Sequence, residues 1–184
     1  MRKPDDIYDE WLVLRCQEND AAALSELVRR WQPRILRHAT RLTGNLDAAA
    51  DVAQTTWLAI IRGLNRLNDP ACFRRWAYRI VAHKSADWIR ARQHDRVFGG
   101  PMVTDPADCR IAKISPGDED EIAAIRFAMT QLNPDQKTIL SMFYLEEMPL
   151  AEIAEAMSLP LGTVKSRLHY ARQALKVTLT RNKP

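Results

Sequence analysis

Leu159-Pro160-Leu161-Gly162-Thr163-Val164-Lys165-Ser166-Arg167-Leu168-His169-Tyr170-Ala171-Arg172-Gln173-Ala174-Leu175-Lys176 is the stretch on which the fold turns. Val164, Leu168, Ala171 and Leu175 recur at spacings of four, three and four, which aligns them on one face of an α-helix and leaves Ser166, Arg167, Tyr170 and Gln173 on other faces. One face packs, and another is free to read a partner. From Pro160 to Pro184 there are six Lys or Arg residues (Lys165, Arg167, Arg172, Lys176, Arg181, Lys183) and no Asp or Glu, so the exposed side of this helix is cationic without internal neutralisation. Such a surface seeks an anion, and DNA is the leading candidate.

Just upstream, Leu150 to Met157 reads as a short helix carrying a small residue at Ala154, followed by a turn from Ser158 to Gly162. A short helix, a tight turn and a longer basic helix make a helix-turn-helix, in which the small residue lets the helices cross closely and the second helix enters the major groove. Gly162 or Thr163 stands where that second helix begins. Lys165, Arg167 and Arg172 are then the expected phosphate or base contacts, with Thr163 and Ser166 as supporting donors. Further upstream, Asp118-Glu119-Asp120-Glu121 opens a helix through Ile122, Ile125, Met129 and Leu132. Asn133-Pro134-Asp135-Gln136 then starts another, with Asn as cap, Pro at the first helical position and Gln three residues on, carrying Ile139, Leu140, Met142, Phe143 and Leu145.

The N-terminal half has the same helical periodicity. From Tyr8 to Leu42, Trp11, Leu12, Leu14, Leu24, Leu27, Val28, Trp31, Ile35, Ala39 and Leu42 step by three and four, which predicts two or three helices. Asn19-Asp20 caps one of them, and Pro33 either opens a new helix or kinks the existing one. A further helix from Asp47 to Leu67 places Ala50, Ala53, Trp57, Ile60 and Leu64 on its apolar stripe, capped by Asn45 or Asp47. From Phe73 to about Arg96 the chain interleaves Phe73, Trp76, Tyr78 and Trp88 with Arg74, Arg75, Arg79, Lys84, Arg90 and Arg92. Rings on which bases stack, beside cations that hold phosphates, suit single-stranded nucleic acid. A packed aromatic core under a solvated basic face is the alternative, and these residues alone leave both open.

Val97 to Gly117, with Gly99-Gly100-Pro101, Pro106 and Ser115-Pro116-Gly117, has no sustained period and reads as a linker. A flexible segment of this length spans roughly 25 Å on average and stretches to about 70 Å, enough for two separate contacts on one duplex. The sequence thus predicts an all-α protein of two small helical domains, 1–96 and 118–184, joined by a flexible linker at 97–117, the C-terminal domain a helix-turn-helix.

At 184 residues with 46% hydrophobic content, the chain can build real cores. Its net charge of +4 says little, because the cations are concentrated in two segments while Asp105 to Glu121 is acidic. Met1 to Asp6 offers no apolar core of signal-peptide length and no run approaches a membrane span, so a cytoplasmic protein without membrane insertion is expected. Cys16, Cys72 and Cys109 are far apart and lack metal-ligand spacing, as do His38, His83, His94 and His169, so reduced thiols and no metal are expected. The chain contains no P-loop, dinucleotide turn, nucleophile elbow or His-Glu-x-x-His motif, and paired acids such as Glu146-Glu147 and Glu152 with Glu155 read as solvated helix surface. Neither an enzyme nor a cofactor is expected.

The chain resembles, over nearly its whole length, the extracytoplasmic-function (group IV) branch of the bacterial sigma-70 family. Asp51-Val52-Ala53-Gln54-Thr55-Thr56-Trp57-Leu58 is similar to the family's polymerase-binding helix motif, and Phe73-Arg74-Arg75-Trp76-Ala77-Tyr78-Arg79-Ile80-Val81 to its promoter-melting segment. Leu132 to Gln136, Glu152 to Glu155 and above all Gly162 to Arg172 resemble its fourth region, which reads the minus-thirty-five element. The resemblance implies a sigma factor that binds core RNA polymerase, recognises two promoter elements and helps open the duplex, with an anti-sigma factor as a further partner. It implies a polymerase-binding set of Asp47, Asp51, Gln54, Thr55 and Leu58, and a minus-ten and melting set of Arg75, Trp76, Arg79, His83, Lys84, Asp87, Trp88 and Arg90. The minus-thirty-five set is Thr163, Lys165, Ser166, Arg167, His169, Tyr170 and Arg172, and a base flipped from the stack would be captured around Val81 to Ser85. Three departures stand out: Thr55 where the family has Glu, His83 where Asn is common, and Pro149-Leu150 in place of a Ser-aromatic pair, which leaves the first reader helix without a side-chain cap. The alternative reading is a stand-alone helix-turn-helix repressor or activator.

Overall fold

The computed structural model describes residues 4–98 and 119–181, and no strand occurs among them. The chain divides into two compact units, Met1–Thr104 and Asp105–Pro184. Most of the expected linker lies outside the described residues; Val97 and Phe98, its first two, belong to a helix.

In the first unit, α1 (Pro4–Gln17), α2 (Ala21–Thr43), α3 (Leu46–Gly63) and α4 (Phe73–Phe98) are linked by tight connections, with 3₁₀ turns at Leu64–Arg66 and Pro70–Cys72. Asp20 has extended backbone, and its carboxylate accepts from the backbone N–H groups of Ala22 at 2.8 Å and Ala23 at 3.0 Å, which starts α2. Gly44 ends α2 at φ 70°, a left-handed conformation that only glycine adopts without cost. Asn45 at once caps α3 by accepting from Ala48 N–H at 2.8 Å. Pro33 lies inside α2, so the periodic stretch up to Leu42 holds two helices rather than three.

Trp31 occupies the middle of this core, edge-on to Phe73 at 5.0 Å and tilted against Tyr78 at 5.7 Å. Leu12, Leu27, Ile35, Ile60 and Val81 fill the space around them. Asp9 is buried on α1, where its carboxylate accepts from Arg30 Nε at 2.9 Å and Arg34 Nη1 at 3.5 Å, pinning α1 to α2. The stripe expected for α3 needs one correction: Ala50 is exposed, and Ala49, Val52 and Thr56 join Ala53, Trp57 and Ile60 in the core. A buried helix face is wider than a single line of residues, so Ala, small enough for either side, misleads a reading by period.

In the second unit, α5 (Glu119–Thr130), α6 (Pro134–Leu140), a π-helical turn (Ser141–Leu145), α7 (Leu150–Met157) and α8 (Leu161–Arg181) follow in order. Asn133 and Gln136 form a reciprocal capping box at the start of α6, at 2.8 and 3.2 Å. The helix expected to run on through Leu145 does not: Glu146 N–H donates to Ser141 O at 3.1 Å, an i→i−5 bond that inserts one extra residue. That insertion keeps Ser141 and Met142 buried but turns Tyr144 and Leu145 to solvent. On α5 the expected stripe is also shifted, with Ile125 exposed and Ala128 buried, while Leu132 just beyond the helix is buried as expected. Pro149 precedes α7 without any side-chain cap, and Ser158 ends it at φ 53°. Ala154 is buried where α7 meets α8, and α8 begins at Leu161, one residue before Gly162.

Candidate nucleic-acid interface

Val164, Leu168 and Ala171 are buried and hold α8 against α5, α6 and α7. Leu175, expected on the same stripe, is half-buried. Opposite them, Ser166, His169, Tyr170 and Gln173 are exposed, Tyr170 by 66%, and the rings of His169 and Tyr170 meet edge-on at 5.8 Å. Lys165, Arg172 and Lys176, spaced by seven and four, share one edge of this face, while Arg167 lies on the other. Thr163 is half-buried beneath the start of the helix. The geometry offers polar and aromatic groups in the middle for base edges and cations at the borders for phosphates.

The bordering cations are held differently. Arg167 Nη1 donates to Asp135 Oδ2 across 2.5 Å, so its charge is balanced by a carboxylate from the first turn of α6. Arg172 has its guanidinium 5.2 Å from the Phe143 ring and 5.3 Å from the Tyr144 ring. Neither partner was singled out by sequence reading. On α6, burial pushes the Lys137 ammonium below the usual lysine range.

On α4, Ala77, Tyr78, Val81 and Ser85 face the core. Arg79, His83 and Arg90 are exposed at spacings of four and seven, which gathers them on one solvent face, and at its edge Asp87 Oδ1 accepts from Arg90 Nη2 at 2.5 Å. Trp76 is half-buried beside that face. Lys84 and Trp88 are set apart from it, because they follow Ala77 and Val81 by one heptad on the packed side, where both are half-buried and Arg92 lies 5.1 Å above the Trp88 ring. Arg75 is half-buried and donates to Cys72 Sγ at 2.6 Å. The aromatic-basic segment is therefore divided: Phe73 and Tyr78 are packed, Trp76 and Trp88 are half-buried, and of its cations Arg79 and Arg90 are exposed while Arg74, Arg75, Lys84 and Arg92 are half-buried, so the rings serve the core at least as much as the surface.

On α3, Asp47, Asp51, Gln54, Thr55 and Leu58 are all exposed and share a face. Thr55 Oγ1 donates to the carbonyls of Asp51 and Val52, both at 3.0 Å, so its hydroxyl proton is already used. Ile61, which the sequence reading passed over, extends the face: it is 48% exposed beside Leu58 at 47%. Its i+3 spacing from Leu58 on a helix whose core stripe was already filled was the available signal.

Among the described residues, Cys16 and Cys72 are unbridged, and burial, with Asp20 nearby, pushes the Cys16 thiol up. Cys109 and His94 lie among residues whose side chains are not described. Among the described residues there is no His, Cys, Asp and Glu cluster suited to a metal, and no helix long and apolar enough to cross a membrane.

Two family models match the chain: Sigma-70 region 2 over residues 27–95, within the first unit, and Sigma-70, region 4 over residues 122–175, within the second. The chain is 31% identical over 165 residues to the ECF RNA polymerase sigma factor SigL of Mycobacterium tuberculosis, covering 87% of this chain and 90% of that one. The chain belongs to the extracytoplasmic-function sigma factors. It is also 26% identical to the ECF RNA polymerase sigma factor SigW of Bacillus subtilis, over 91% of this chain and 94% of that one. Two solved structures share the fold: CnrH in complex with the cytosolic domain of CnrY, at a TM-score of 0.72 and 21% identity over 96% of this chain and 99% of that one; and the sigma factor RpoE in complex with the anti-sigma factor NepR from Bartonella quintana, at 0.73 and 18% over 87% and 98%. As an ECF sigma factor, the protein directs transcription initiation with core RNA polymerase and promoter DNA as partners. Matches to both units disfavour the stand-alone repressor or activator.

Proposed function

We propose a division of labour among these surfaces. The N-terminal domain, residues 1–96, docks on core polymerase through Asp47, Asp51, Gln54, Thr55 and Leu58 on α3 and engages the opened minus-ten strand through α4. There Arg79, His83 and Arg90 on the solvent face meet the strand first, while Arg75, Trp76, Lys84, Asp87 and Trp88 shape the surface around Val81 to Ser85. The C-terminal domain, residues 118–184, reads the minus-thirty-five element with Thr163, Lys165, Ser166, Arg167, His169, Tyr170 and Arg172, and residues 97–117 join the two. The observation that carries this reading is α8: an acid-free helix whose solvent face is polar and aromatic with cations at both borders. Its contribution is recognition and positioning rather than chemistry, and it acts in the cytoplasm. The CnrH and RpoE structures hold CnrY and the anti-sigma factor NepR, and by that likeness an anti-sigma protein restrains this chain too.

The test is multi-round transcription with purified core polymerase on a genomic promoter library. Specific start sites that depend on this protein, with weak duplex binding by the protein alone, are expected; tight autonomous binding without start sites would overturn the reading. Replacing Asp51 and Gln54 together should weaken polymerase binding while leaving the thermal melt unchanged. Unaltered polymerase affinity would remove α3 from that role.

A further inference from the structure

We propose that Phe143 and Tyr144 form an aromatic seat that positions Arg172 for a backbone phosphate at the minus-thirty-five element, making Tyr144 a positioning residue for promoter recognition. The inference deepens the reading of α8 as the DNA-facing helix and rests on it. The seat lies on the π-helical turn Ser141–Leu145, where the neighbouring residues Phe143 and Tyr144 both present their rings to Arg172. Their rings meet edge-on at 5.0 Å, and the guanidinium lies 5.2 and 5.3 Å from the two centroids. Phe143 is half-buried and anchors the pair, whereas Tyr144 is 54% exposed and has no core to fill.

What the rings do to the cation differs from what a carboxylate does. Asp135 balances the charge of Arg167 and must release it before a phosphate can take its place. Ring faces attract a guanidinium through their quadrupole and leave its net charge in place. Arg172 is thereby ordered in advance while still fully able to release a counterion from DNA. It also stands in line with Lys165 and Lys176 along one edge of α8, where a phosphate backbone running beside the groove would pass all three.

The experiment measures the affinity of reconstituted holoenzyme for a two-element promoter duplex across a salt series, for the parent protein, Tyr144→Leu, Tyr144→Phe, Arg172→Ala, Lys165→Ala and the Tyr144→Leu/Arg172→Ala double variant. Tyr144→Leu should weaken binding about two- to fivefold, the range expected for losing an exposed cation–π contact. Tyr144→Phe should restore it, because the ring face remains. Arg172→Ala should weaken binding and flatten the log–log salt dependence by about 0.9. Adding Tyr144→Leu to Arg172→Ala should then change nothing further. Additive losses, or full binding by Tyr144→Leu, would overturn the seat. If Arg172→Ala keeps the parental salt slope while Lys165→Ala flattens it, the seat fails and α8 still meets DNA. If neither flattens it, the reading of α8 fails with it. Melts of Tyr144→Leu and Tyr144→Phe should match, and a Leu-specific loss of folding would likewise sink the proposal.

Discussion

Asp135 takes up the guanidinium of Arg167 across 2.5 Å with both side chains partly in water, 37% exposed for Arg167 and 60% for Asp135. A pair so exposed contributes little to stability, so its consequence falls on binding. Asp135→Asn should leave the melting temperature nearly unchanged yet tighten holoenzyme on promoter DNA, steepening the salt dependence by about 0.9 as Arg167 becomes free to meet a phosphate. Arg167→Ala should weaken minus-thirty-five recognition with polymerase binding intact, and the Asp135→Asn gain should vanish in that background; both are read from the same binding titrations. Gly63 poses a steric question of the same size. A Cβ there would stand 2.8 Å from Trp76 Cζ2 and 3.2 Å from Cη2, so the indole must move. Gly63→Ala should cost about 1–3 kcal/mol in chemical denaturation, despite alanine's better helix propensity, as overpacking does elsewhere. By displacing Trp76 it should also slow promoter opening, measured by permanganate reactivity of the melted strand.

Helix ends, more than helix middles, set where the surfaces lie. Asn45 caps α3 one residue after Gly44 ends α2, and this tight junction fixes the direction in which Asp47, Asp51 and Leu58 face. Asn45→Ala should lower stability by about 1 kcal/mol in urea titrations and weaken polymerase binding in proportion. Asp20 caps α2 and is sensitive to acid. The N–H of Ala23 above all, helped by that of Ala22 and by the Arg15 guanidinium, holds its carboxyl below the usual aspartate range against an opposing desolvation second in size only to the Ala23 bond. A depressed folded-state pKa stabilises above the unfolded value and is lost as pH falls through the folded one. The stability deficit of Asp20→Asn relative to the parent, measured by urea titration, should therefore be largest near pH 7 and shrink as pH falls below about 3.9. These caps were legible in the sequence because Asn and Asp announce themselves before apolar runs, as does the box of Asn133 and Gln136. The helix-turn-helix was legible too, since Val164, Leu168 and Ala171 keep strict helical spacing in an acid-free segment. The π-helical turn was not, because one inserted residue shifts the register without altering composition. With it went the seat of Arg172 and the exposure of Leu145. Pairings between helices, such as Arg167 with Asp135, depend on folded geometry that one-dimensional spacing does not contain.

Across the whole molecule, the proposed recognition surfaces are divided between two units, each with its own core. If about four of the cations on α8 meet phosphates, log affinity should fall with log salt at a slope of roughly −3.6, close to a hundredfold loss from about 50 to about 200 mM. The protein alone should therefore bind a two-element promoter weakly and lose it in physiological salt. In the proposed division of labour, core polymerase changes this by fixing the first unit through α3, so that the second element is met at high effective concentration rather than from solution. The coupling has a measurable signature. On the holoenzyme, scrambling the minus-thirty-five element should cost far more at about 200 mM salt than the same change costs the free protein, whose binding is already mostly nonspecific. Equal penalties in filter-binding titrations of the two would mean that the second unit reads DNA independently, and that polymerase adds affinity without joining the two surfaces.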